Sequence, residues 1–462
     1  MSLSEEIAWR DPAEAFARWS EDPYVAWLDS AAARDARSGY SYLGISPFQV
    51  IETADGGTRV NGRAVPGDPF AVLAQELGRW RLPPGASPAP FGGGAIGFLG
   101  YELGRHLERL PQRHANTLAI PDMVVACYDV VLVFDCRQQR AWIVSSGFPA
   151  EHEPARQQRA AQRLDAVLQR LNAPVAPVPP PLWQRAAWQP ELARSDYERR
   201  VSRALEYIRA GEIFQANITM RHLARRPAGA AASAIHGALR TGSPAPFATY
   251  LGCGPRLALA SASPERFLRL DPAGLMETRP IKGTRPRGAT AADDSRLREE
   301  LAASEKDRAE NLMIVDLMRN DLGRVADIGS VAVPTLFEVE SFAAVHHLVS
   351  SVTGVLRPGL GPVDLLRATF PAGSITGAPK IRAIEIIDEI EVARRGPYCG
   401  TIAWIGFDGA MDSSVVIRTL VITPETVVAQ AGGGIVADSD PAAEYEEMMV
   451  KVRPLLAALS PP

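Results

Sequence analysis

Met276-Glu277-Thr278-Arg279-Pro280-Ile281-Lys282-Gly283-Thr284-Arg285-Pro286-Arg287-Gly288 sets one lysine among three arginines. Pro280 and Pro286 fix φ on either side of it, and Gly283 and Gly288 relax the backbone. Nearby positive charge and desolvation both disfavour an ammonium, so a lowered pKa is expected for Lys282. A neutral lysine amine is a nucleophile, whereas an ammonium is not. Taken alone, the same residues equally suit a basic surface turn or an anion-binding loop.

Upstream, Arg256 to Ser261, Arg266 to Leu270 and Leu275 to Arg279 read as strands, and Asp271-Pro272-Ala273-Gly274 is a strong turn signal. If that turn closes a hairpin with Leu270 opposite Leu275, Glu265 falls opposite Pro280. Lys282 then shares a face with Glu265. A carboxylate would stand beside the amine as a proton donor or acceptor, although a slip of one residue would separate them. Downstream, Asp293 to Arg324 reads as one long helical run in which Asp307 and Glu310 share a face. A second helix opens near Pro441 and places Glu444, Glu447 and Lys451 on one face. Such acidic pairs can bind a hard divalent cation through oxygen, or they are wet faces laced with salt bridges to Lys306, Arg308 and Lys451.

Between these helices lie further polar groups in apolar or glycine-rich settings. They are His346-His347, the run from Phe370 to Lys380 with a helix start marked by Pro379, Tyr398, Arg418 after Val415-Val416-Ile417, and Ala431-Gly432-Gly433-Gly434-Ile435. A helix start and a glycine nest can each hold an anion. Singly, each has a structural explanation. Together they supply donors for a small polyanion, beside metal ligands and one activated amine.

The 462 residues are more than one ordinary core needs. A net charge of −4 and a pI near 6.1 argue against nucleic acid as an electrostatic partner. Cys127, Cys136, Cys253 and Cys399 form no CxxC, which fits free thiols in a reducing compartment. The N-terminus lacks a signal-peptide pattern, and the longest apolar run, Met123 to Phe134, is too short to span a bilayer. A cytoplasmic protein with no membrane partner is expected. Helices are expected at Asp11–Trp19, Ala71–Leu82, Glu153–Leu171 and Arg194–Ala210. Strands are expected at Tyr24–Ser30, Tyr40–Val50 and Glu212–Leu223, with a hairpin across Met123–Phe134 and Arg140–Ser145. The glycine-dense stretch 91–102 suits close backbone packing or a mobile loop and is no GxGxxG fingerprint. A Pro-rich linker, residues 174–190, is expected to divide an N-terminal subdomain (1–173) from a catalytic subdomain (191–462).

Six ordered segments of the second part together resemble the chorismate-utilising enzyme family: Ser261 to Phe267, Arg279 to Pro286, Glu305 to Gly323, His346 to Gly354, Phe370 to Lys380 and Gln430 to Pro441. Tyr40 to Gly44 and the stretch ending at Glu102 fit the same family. Anthranilate-forming members typically carry Pro-Ile-Ala-Gly-Thr. This chain has Pro280-Ile281-Lys282-Gly283-Thr284, the pattern of the branch that makes 4-amino-4-deoxychorismate for p-aminobenzoate and folate.

The resemblance implies an α+β fold, with large antiparallel sheets packed as a sandwich and flanked by helices. It implies an amino-group-transferring enzyme in which Lys282 attacks the chorismate ring and Glu265 moves protons. Glu310 and Glu447 would hold Mg2+, supported by Asp307 and Glu444. Chorismate would be held by Tyr398, Arg418, Gly433, Gly434 and Lys451, with Gly283, Thr284, His347 and Thr376 nearby. His347 corresponds to a residue that assists pyruvate loss in anthranilate-forming relatives, so its presence does not decide the product. Asp307 stands where relatives often have Glu. Gln215 stands where water-adding relatives keep a lysine base, which argues against isochorismate formation. No amidotransferase nucleophile elbow occurs, so ammonia is expected from a separate glutamine amidotransferase subunit, and pyruvate elimination from another enzyme. The family's N-terminal subdomain can hold tryptophan, and Trp27-Leu28-Asp29-Ser30 lies where that pocket would be. The rival expectations are an anthranilate-forming subunit and a non-catalytic chorismate-binding regulator.

Overall fold

The computed structural model describes residues 2–30, 39–174, 183–342 and 345–460. Among these, two twelve-stranded sheets form, and every strand pair between neighbours is antiparallel. The run from Met123 to Phe134 explains how they are layered. Met123–Tyr128 belongs to one sheet and Val130–Asp135 to the other. Val131 and Val133 pack with Val124 and Ala126 in a core between the sheets. Val130, Leu132 and Phe134 face a second core beneath helices Pro12–Ala17, Ala155–Asn172, Arg194–Arg209 and Pro441–Ala457. Met123, Val125 and Cys127 face a third core, under Pro69–Gly78, Glu305–Gly323 and Pro362–Thr369. Side chains alternate along a strand, so a sheet buried on both faces needs an unbroken apolar run. The molecule is therefore helix, sheet, sheet, helix, the flanked sandwich expected.

Asp129 sits where the run changes sheets. It is fully buried and held by Arg159 at 3.3 Å and Arg163 at 3.2 Å, both from the Ala155–Asn172 helix. The expected hairpin is thus half of what was read. Val130–Asp135 pairs with Arg140–Ser145, while Met123–Tyr128 joins the other sheet. Tyr40–Val50 also divides, into Tyr40–Gly44 and Gln49–Ala54 on different sheets, with Ser46 at φ 47° in the break. The glycine-dense stretch contains a buried strand, Gly94–Leu99. A Cβ on Gly97 would stand 2.1 Å from the Val124 carbonyl oxygen, so close backbone packing accounts for that glycine.

The long helical run is two helices, Ala291–Ala303 and Glu305–Gly323. Ser304 divides them, because its hydroxyl accepts the Asp307 N–H and caps the second helix. The remaining expected helices and strands are present with ends shifted by a few residues. The chain division at 174–190 is a division of sequence. In space, strands from 1–173 and from 191–462 share both sheets. Residues 175–182 of the linker lie outside the described residues.

Two buried histidines give the fold an acid limit. Burial pushes the pKa of His236 down to about 3, with Arg240 as a second cause, and burial pushes that of His222 down to about 4. The unfolded chain binds a proton on each near pH 6.5, while the folded chain does not until well below. Stability is therefore expected to fall as pH drops from 6.5, by about 1.4 kcal/mol per pH unit for each neutral histidine. His236→Phe, which fills the same contacts with Phe16, Trp27 and Tyr250, should flatten the acid limb of the urea midpoint. Parallel curves for the two proteins would contradict this.

Candidate active site

Arg279 and Pro280 interrupt a strand. Leu275–Thr278 and Ile281–Pro286 both pair with Val345–Val355, and Lys282 lies opposite Leu348. The register jumps after Lys282, where Gly283 takes φ 80° as a bulge. A Cβ there would meet Asp307 Cγ at 2.8 Å, so this position needs glycine both for its φ and for the closeness of the Glu305–Gly323 helix.

The hairpin register differs from expectation by one residue: Leu270 pairs with Met276, not Leu275. Lys282 and Glu265 nevertheless face one cleft, because the pairing of this hairpin covers only Arg269–Glu277 and Leu270–Met276. Beyond it, Glu265 is placed by its own neighbours. Its carbonyl accepts the Val415 N–H at 3.1 Å, and its N–H donates to Ser263 Oγ at 3.4 Å. Glu265 and Lys282 both line one open cleft of about 1630 Å3.

Thirteen of the fifteen expected site residues line that cleft. From the lysine strand and its neighbour come Gly283, Thr284 and His347, with Thr284 Oγ1 and His347 Nδ1 3.0 Å apart. Tyr398, Arg418 and Gly434 also line it. Asp307 and Glu310 enter from one helix, and Glu444, Glu447 and Lys451 from the C-terminal helix. Thr376 and Gly433 do not line it. The Thr376 hydroxyl is turned onto the carbonyls of Ala372 and Gly373. Gly433 lies under Glu444, whose Oε2 would be 2.7 Å from a Cβ there. Lys306, previously read only as an ion-pair partner, also lines the cleft. Its place one turn before Glu310 was the available signal.

Of the two causes expected to lower the Lys282 pKa, burial leads and the neighbouring arginines drop out. The pKa of Lys282 is lowered, first by burial, while Glu310, Glu265 and Glu447 pull it up and only Lys451 adds to the lowering. The three arginines are spent elsewhere. Arg279 pairs with Glu340, Arg285 with Asp307 at 3.1 Å, and Arg287 with Asp294 at 2.7 Å. Among the described residues, the Lys282 amine makes no hydrogen bond or ion pair. Burial raises the pKa of Glu310, and Asp307 and Glu447 reinforce this, against Lys282 and Lys306. Burial likewise raises Glu444, against a bond from Ser439 at 2.6 Å. Desolvation pushes Glu447 up, but Lys451 at 2.6 Å outweighs it and holds the carboxyl low.

Among the described residues, no group of three or more acidic, histidine or cysteine side chains is arranged to hold a metal. The donor set still fits one cation class. Glu310 and Glu447 disfavour each other's charge inside the cleft, and magnesium characteristically takes one or two protein carboxylates and completes its shell with water and substrate oxygens. Asp307 is engaged by Arg285 and Glu444 by Ser439, which leaves them as surrounding charge.

Trp27 to Ser30 stands apart from this cleft. Trp27 donates to Ser41 Oγ at 2.9 Å, and Asp29 accepts from Arg240 at 2.6 Å. Leu28, Asp29 and Ser30 line a separate cavity of about 660 Å3. No helix among the described residues is long and apolar enough to cross a membrane.

Comparison with known proteins agrees with this geometry. The profile described as chorismate binding enzyme matches residues 24–457. Aminodeoxychorismate synthase component 1 of Klebsiella aerogenes is 42% identical, over 98% of both chains. Anthranilate synthase component 1 of Thermus thermophilus is 40% identical, over 97% of this chain and 95% of that one. The crystal structure of anthranilate synthase component I from Streptococcus pneumoniae superposes with a TM-score of 0.82 at 33% identity, covering 92% of this chain and 93% of that one. With Lys282, Glu265 and the acidic faces of two helices lining one cleft, and with matches along nearly its whole length, the chain belongs to the family of chorismate binding enzymes.

Proposed function

We propose that this enzyme aminates chorismate at C4, giving 4-amino-4-deoxychorismate, with Lys282 as a covalent nucleophile. The observation that carries this reading is the half-buried Lys282 amine, without an ion pair, facing the same cleft as Glu265. The neutral amine bonds to C2 of the ring. The C1=C2 pair shifts to C1=C6, the C5=C6 pair shifts to C4=C5, and the C4–O bond breaks. Glu265, carrying a proton, gives it to the departing hydroxyl, which leaves as water. Ammonia then bonds to C4, the double bonds return, and the C2–N bond breaks to release neutral Lys282. The C4 ammonium returns one proton to the Glu265 carboxylate. The net change is chorismate plus ammonia to aminodeoxychorismate plus water, in two easier displacements rather than one hard one. Arg418, Lys451 and the Gly434 backbone would bind and orient the carboxylates. Magnesium on Glu310 and Glu447 would supply charge neutralisation for the ring carboxylate.

Ammonia is mostly protonated at neutral pH, so a separate glutamine amidotransferase subunit is the proposed source. The component 1 designation of the Klebsiella relative is consistent with such a partner. The cavity beside Leu28 to Ser30 is the proposed tryptophan pocket. The Thermus relative supports a second reading, anthranilate formation. Incubating the enzyme with chorismate, ammonium and magnesium, and no lyase, decides between them. Aminodeoxychorismate with pyruvate retained is expected, and release of fluorescent anthranilate would overturn the proposal.

A further inference from the structure

Gln215 begins the strand Gln215–Arg225, next to the residue pair Asn217–Gly434. Its side chain is fully buried, and among the described residues neither Nε2 nor Oε1 has a hydrogen-bond partner. A buried amide with both ends unmade is costly, and in a native fold it calls for an explanation. The amide lies against Gly434. A Cβ on that glycine would stand 2.2 Å from Gln215 Nε2 and 3.3 Å from Lys282 Nζ. The missing side chain thus leaves room that the Gln215 amide itself fills, with the Lys282 amine against the same glycine. The backbone of Gln215 is held from the other side, where it pairs with Ala378 and where a Cβ on Gly377 would meet the Gln215 carbonyl oxygen at 2.1 Å. The backbone that carries the orphaned amide is therefore fixed in place, beside an amine that among the described residues has no hydrogen bond of its own.

We propose that Gln215 is the positioning residue for Lys282: with a half-turn of its amide, which exchanges Nε2 and Oε1 beside Gly434, the carbonyl oxygen accepts one N–H of the neutral amine and turns the nitrogen lone pair toward the substrate ring. This rests on the covalent role given to Lys282 above. A lysine amine sits on four flexible carbons, and a second contact is what confines its lone pair to one direction. Glutamine suits the task because it accepts an N–H without carrying charge. A carboxylate at the same point would hold the lysine as an ammonium.

The test follows adduct formation alone. Full-length protein is mixed with saturating chorismate and magnesium, without ammonia, and the mass of the intact chain is followed in time. Chorismate affinity is measured separately by titration calorimetry. Gln215→Leu is expected to slow formation of the Lys282 adduct about 100-fold with chorismate affinity retained, and in the steady state to lower kcat without raising KM. Gln215→Glu keeps the size and shape of the side chain, and is expected to slow the adduct as well, so the question survives if the leucine variant folds poorly. An adduct rate equal to wild type in either variant overturns the inference. So does a loss confined to chorismate affinity, which would make the amide a substrate-binding group only. Failure of the wild-type protein itself to form an adduct overturns the covalent reading first, and the inference with it.

Discussion

Lys282→Ala is expected to lower the rate of chorismate amination at least about 10³-fold, with magnesium-dependent chorismate binding retained. The strand that carries the lysine is fixed by the pairing of Lys282 with Leu348 and by the glycine bulge that follows. Truncation therefore removes the amine without moving Arg418 or Gly434 elsewhere in the cleft. Burial lowers the pKa of the amine, so its reactive form is more available than that of an exposed lysine. Lys282→Arg tests the chemistry directly, since a guanidinium keeps the cation and cannot deprotonate. It should be as inactive as the alanine variant. Product formation is measured at saturating ammonium, and binding by calorimetry with magnesium present. Turnover near wild type in the arginine variant would show that the lysine serves as a positive charge and not as a nucleophile.

Much of this site was legible in the sequence because its residues lie in compact motifs. The lysine stretch, the acidic faces of two helices and the glycine nest each occupy a short run of chain. Their convergence rested on the resemblance to a known family. What remained hidden was set by long-range packing. The hairpin register was misread by one residue, and the error did no harm, because Glu265 is placed by Val415 and Ser263 beyond the paired residues. The three arginines promised a repulsive environment for Lys282, yet each is neutralised by an acid outside the stretch, Glu340, Asp307 or Asp294. Charge composition near a residue thus says little about its field until partners are known. The same holds for the strands. An apolar run such as Met123 to Phe134 announces burial on both faces, but the single buried Asp129 is what marks the crossing between sheets.

The two acidic helices permit an expectation in which stability and binding move in opposite directions. Glu310 has its pKa raised by burial and by Asp307 and Glu447, with Lys282 and Lys306 offsetting only in part. In the absence of a cation its charge is a burden on the fold. Glu310→Gln should therefore leave the metal-free protein as stable as wild type or more so, while raising the magnesium concentration for half-saturation about 100-fold. Glu447 differs in kind, because it pairs with Lys451 at 2.6 Å and its carboxyl is held low. Glu447→Gln strips that lysine of its partner, so the same loss of magnesium affinity should come without any gain in stability. Thermal unfolding with and without magnesium separates the cases. Wild-type Tm should rise with the ion, as it must for any ligand that binds only the folded state, and the rise should be lost in both variants. If magnesium half-saturation is unchanged in both, the two carboxylates are only a charged rim to the cleft, and the ion, if one is used, is held by other groups.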